Sequence, residues 1–84
     1  MHILISPHAE QRMRDRDVSE VNVREVLRSP GEVISVRYGR LAAHKEIGKR
    51  ELVVVYEKEN EEIEVITVLW VDKRRLRRLG FTRV

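Results

Sequence analysis

The hydrophobic period of this chain changes once, at Ser29-Pro30-Gly31, and that change limits the folds open to it. Before it, apolar residues recur at helical spacing: Ala9 and Met13, then Val23, Val26 and Leu27. After it, Val33 to Tyr38 is β-branched and extended in character. Leu41, Ala43, Lys45 and Ile47 then alternate with Arg40, Ala42, His44 and Glu46, a period of two. Leu52 to Tyr56 and Ile63 to Val71 read as buried strands. Gly39, Gly48-Lys49-Arg50 and Glu59-Asn60-Glu61 read as turns, and three short connections favour an antiparallel meander. The expected fold is α+β, with an N-terminal helical hairpin packed on one face of a roughly four-stranded antiparallel sheet.

The helical part carries its own punctuation. His2 to Ile5 reads as a short strand leading into a helix that Ser6 caps and Pro7 opens. That helix is expected to end at Arg16 or Asp17, because Asp tolerates a left-handed turn better than most residues. Ser19 caps a second helix from Glu20 to about Arg28, with Val18 and Val23 placed as a hydrophobic staple. Near the other end, Asp72 can cap a short basic helix, Leu76 and Leu79 can share a face, and Gly80 can stop it.

Composition narrows the class. The 84 residues fit a single domain with a modest core, and 37% charged against 42% hydrophobic residues describes a globular chain. No apolar run is long enough for a bilayer, and Met1-His2-Ile3-Leu4-Ile5 lacks the features of a signal peptide. The absence of Cys excludes disulfides and thiolate zinc sites, and suits a cytoplasmic location. His2, His8 and His44 lack paired spacing, and the glycines form no phosphate loop, so no metal and no cofactor are expected. The net charge of +3 is uneven. Residues 72–84 hold six Lys/Arg against one Asp, giving +5, and residues 1–71 give −2. Such asymmetry points to a polyanionic partner.

Candidate chemistry concentrates on the first helix. His8, Arg12 and Arg16 recur every four residues as one polar stripe, bordered by Ala9 and Met13. Metal-independent RNA cleavage needs a proton acceptor, a proton donor and cations around the phosphorane. His8 suits the proton transfers and Arg12 suits the phosphate. Lys45 is the second cation, since its strand face is otherwise apolar; an exposed lysine at a sheet edge is the competing reading. Arg16, Thr67, Arg74, Arg75, Arg77 and Arg78 are candidates for holding RNA or phosphate. Tyr56 and Trp70 could stack bases or simply pack, and His44, pointing opposite Lys45, reads as a surface residue.

The pattern Ser6-Pro7-His8-Ala9-x-x-Arg12-Met13-x-x-Arg16-x-Val18-Ser19 resembles a widespread prokaryotic family known as a domain of unknown function, DUF4258. Members open with a similar His-Ala-x-x-Arg-Met-x-x-Arg helix and close with strands like Leu52-Val53-Val54-Val55-Tyr56 and Val65-Ile66-Thr67-Val68. Asp17 stands where the family more often has Gly. The layout also looks like the small ribonuclease toxins of the RelE and BrnT kinds, an analogy of fold and size. It implies metal-free RNA cleavage and an antitoxin protein as partner, and it carries over no catalytic residue by position. Two functions are therefore expected in competition: a toxin-like endoribonuclease, or a non-catalytic module that binds nucleic acid or protein.

Overall fold

The computed structural model describes residues 1–84. In chain order the elements are β1 (His2–Ile5), α1 (Pro7–Arg16), α2 (Glu20–Arg28), β2 (Glu32–Ser35), a 3-10 turn at Arg37–Gly39, β3 (Leu41–Ile47), β4 (Arg50–Glu59), β5 (Glu62–Val71) and α3 (Lys73–Leu79). The fold is α+β, with three helices and one five-stranded sheet in the order β1-β5-β4-β3-β2.

Both N-terminal helices begin as their capping residues dictate. The Ser6 hydroxyl accepts from the Ala9 N–H at 3.1 Å, and Ser19 forms a reciprocal capping box with Asn22. Asp17 ends α1 in the left-handed region, at φ 55°, and its N–H returns to the last turn. Asp72 caps α3 through the Arg75 N–H at 2.8 Å, and Gly80 stops it at φ 113°.

The structure corrects the expected layout in several places. The sheet is mixed and has five strands: β2 to β5 form the antiparallel meander, and β1 adds to the outer edge of β5 in parallel. A parallel partner lies a long crossover away in sequence, so local alternation carries no sign of it. The two N-terminal helices are not a hairpin packed on four antiparallel strands. The apolar residues of α1, Ala9 and Met13, and of α2, Val23 and Val26, are spent on the sheet. Thus α1 lies over β5, while α2 lies over β3 and β4. Finally, β2 stops at Ser35, and the expected extension to Tyr38 is replaced by the 3-10 turn.

Helices cover both faces of the sheet. Leu52, Val54, Tyr56, Ile63, Val65 and Val68 form the main core with α1 and α2. On the opposite face Ala42, Val53 and Val71 meet Leu76 of α3 and Phe81. His44 lies on that second face and is buried, not a surface residue: 5% exposed, edge-on to Phe81 with ring centroids 4.5 Å apart. The segment after α3 is tied down by Glu32, whose carboxylate accepts from the Thr82 N–H and hydroxyl and from the Arg83 N–H, the last at 2.7 Å.

Candidate functional site

Four shallow concavities mark the surface, and none is lined by His8, Arg12, Lys45 or Thr67. His8 is exposed on the first turn of α1. Arg12 is half-exposed and paired with Asp15 of its own helix at 3.2 Å. Lys45 lies under α2, where Glu25 supplies its counter-charge at 3.6 Å. An ammonium that already has a carboxylate gives no reason to expect an anion beside it. Thr67 pairs with Val55 and so faces the α3 side of the sheet, away from α1.

A different group does converge. At the end of the sheet where β4 begins and β5 ends, Arg16, Arg50, Trp70 and Arg75 line a concavity of about 430 Å³, together with Asp15, Asp17 and Leu69. Two elements meet there from opposite faces: the C-terminus of α1 brings Arg16, and α3 brings Arg75. Trp70 pairs with Leu52, so it stands on the face that α1 and α2 cover and packs against the main core. Arg50, two residues before Leu52, projects on that same face. Its guanidinium carbon lies over the Trp70 ring, 4.0 Å from its centre, a cation–π contact.

Hydrogen bonds fix this corner. The Trp70 indole N–H donates to the Arg16 carbonyl at 2.7 Å, and the Arg16 guanidinium donates to the Val68 carbonyl. These bonds use one donor of Arg16 and leave the rest of its fork free. Asp15 already accepts from Gln11 and Arg12. No carboxylate lies within ion-pairing distance of Arg16, Arg50 or Arg75. The result is an aromatic surface with a flat cation held on it and two further cations beside it. That set can stack a planar ring and grip an oxyanion.

Of the residues singled out from sequence, Arg16, Trp70 and Arg75 thus share one site. Arg74, Arg77 and Arg78 are exposed on α3 outside it. Arg50 was legible only as part of a turn; its signal was the period-two extension of Leu52-Val54-Tyr56 back by one step. No helix is long and apolar enough to cross a membrane.

No curated protein and no solved structure matches the chain, so the likeness to RelE- and BrnT-type toxins stays an analogy of layout and size. One family model does match, over residues 5–70, and it takes in the His-Ala-x-x-Arg-Met-x-x-Arg helix and the strands through Trp70. The chain belongs to that family, described as a domain of unknown function (DUF4258).

Proposed function

We propose that this domain binds single-stranded RNA across the concavity formed by Arg16, Arg50, Trp70 and Arg75. The observation that carries this reading is the Arg50 guanidinium held 4.0 Å over the Trp70 ring, with two arginines that have no ion-pair partner beside it. A guanidinium plane fixed by an indole is a platform for an unpaired base, and stacking of this kind contributes about 1–3 kcal/mol per base. Arg16 and Arg75 then hold the flanking phosphates.

The chain has one tryptophan, so its fluorescence reports this site alone. Titration with oligouridylate should give a saturable change in Trp70 emission. Arg50→Ala and Arg75→Ala should each weaken binding by about tenfold with little change in melting temperature. Duplex RNA of the same length should give no stacking signal. Emission that ignores the single strand, or affinity that ignores both substitutions, overturns the proposal.

A toxin-like endoribonuclease is the second reading, with His8 moving protons and Arg12 and Lys45 stabilising the phosphorane, and with an antitoxin protein as partner. It is favoured by one feature: the His8 imidazole is exposed on the first turn of α1, where a substrate can reach it. Lys45 could join only by leaving Glu25. Incubation of the purified domain with total RNA decides it. Cleavage that His8→Ala abolishes supports the enzyme, and intact RNA at long incubation removes it.

A further inference from the structure

We infer that the apolar groove on the α3 face of the sheet docks an acidic peptide segment of another protein, anchored by large apolar side chains. The groove has a volume of about 270 Å³, and its floor is Val36, Ala42, Val53, Val55, Leu69 and Leu79. It exists because the two faces are covered unequally. The helices α1 and α2 span one face, whereas α3 has only seven residues and shields one end of strands ten residues long.

Three further observations point to a partner and to its chemistry. Tyr38 stands at the rim, 81% exposed, in a left-handed conformation at φ 64°. A bulky L-residue is strained there, and its ring is left largely in solvent, with the Arg40 guanidinium 5.7 Å from its centre. Exposed Tyr and Arg beside an apolar pocket are the residues that anchor protein interfaces. The rim is also basic. Arg37 lines one side without an ion-pair partner, Arg40 beside it is already paired with Glu57 at 3.5 Å, and no carboxylate lines the groove. Leu69 borders both this groove and the arginine concavity, and Arg75 stands one helical turn before Leu79. The two surfaces are therefore continuous. A segment with apolar anchors in the groove would place its carboxylates against Arg37 on one side and Arg75 on the other.

The test pans a displayed library of random peptides on the intact domain. Enriched peptides should carry large apolar residues flanked by Asp or Glu. Their affinity should fall by about tenfold or more in Leu79→Glu and in Tyr38→Asn. Asn tolerates the left-handed conformation, so Tyr38→Asn should keep or raise the melting temperature while losing the peptide. It should also leave the Trp70 titration with oligouridylate unchanged, which separates this groove from the proposed RNA site. Absence of enriched peptides, enrichment of peptides without acidic residues, or full affinity in Tyr38→Asn overturns the inference. A concentration-dependent dimer that Leu79→Glu dissolves assigns the groove to a second copy of this chain and overturns it equally.

Discussion

His44 and Glu51 form a buried polar pair on the α3 face of the sheet, Nδ1 to Oε1 3.1 Å, while the other ring nitrogen, Nε2, has no partner. His44 is opposite Val53 and Glu51 is opposite Glu46, so the two are diagonal neighbours on adjacent strands. Each is the other's hydrogen-bond partner where little solvent reaches, with 6% and 11% of the two side chains exposed. Losing one member strands its mate, and that asymmetry outweighs the modest net value of the bond itself. Glu51→Leu should therefore destabilise the domain by about 1–3 kcal/mol. The double variant His44→Leu with Glu51→Leu should recover most of the loss. Urea denaturation of the two singles and the double closes the cycle, and simple additivity would show that the pair is not coupled.

Asp17 makes a separate claim on stability. It holds φ 55° at the end of α1, a conformation that glycine adopts without the Cβ penalty. Asp17→Gly should stabilise the domain by up to about 1 kcal/mol. The same change removes a carboxylate from the rim of the arginine concavity, so oligouridylate should bind more tightly. Thermal melts and the Trp70 titration read the two effects independently.

The contrast between Asp17 and Trp70 shows what a linear sequence makes legible. The cap at Asp17, the helix starts at Ser6, Ser19 and Asp72, and the turns around Gly48 and Asn60 depend on neighbours within a few residues. They can be read directly. The face on which Trp70 stands depends on a register shift between Val55 and Tyr56 against β5. Counted outward from the Asn60 turn without that shift, Trp70 falls opposite Glu51 and points to the α3 side. With it, Trp70 falls opposite Leu52 and points to α1. One inserted residue thus exchanges the faces of every later side chain on the strand. The parallel pairing of β1 and the burial of His44 under Phe81 were hidden for a related reason, since both rest on contacts between distant segments. Lys45 stands on an otherwise apolar strand face, and its partner, Glu25, lies on another element and leaves no mark near it in sequence.

The Glu32 carboxylate should make the C-terminal segment sensitive to acid. Its pKa is lowered, chiefly by the hydrogen bond from the Arg83 N–H, with the Thr82 donors adding to it against some desolvation. A depressed carboxylate contributes its stabilisation at any pH above the ordinary glutamate value, and loses it as pH falls through the lower, folded value. The latch should therefore be intact at neutral pH and released only in acid. Amide exchange at Thr82 and Arg83 should show this as protection at neutral pH that Glu32→Gln reduces. An acid titration of the Glu32 side-chain resonance should give a midpoint below 4.5. A midpoint at or above that value would mean the carboxylate is free.

The α3 arginines should divide into one that reads the site and three that only supply field. Arg75 lines the concavity, whereas Arg74, Arg77 and Arg78 are exposed outside it and have no ion-pair partner. Each phosphate that a cation neutralises on single-stranded RNA releases condensed counterion, at about 0.7 in the slope of log affinity against log salt. Arg75→Gln should lower the slope by roughly that amount and also reduce the change in Trp70 emission at saturation, because the base next to it is no longer held in place. The triple change of Arg74, Arg77 and Arg78 to Gln should flatten the slope further while leaving the saturated emission as in the wild type. If the slope is the same in all three proteins, α3 is a solvated cover for Leu76 and Phe81, and the phosphates are held elsewhere.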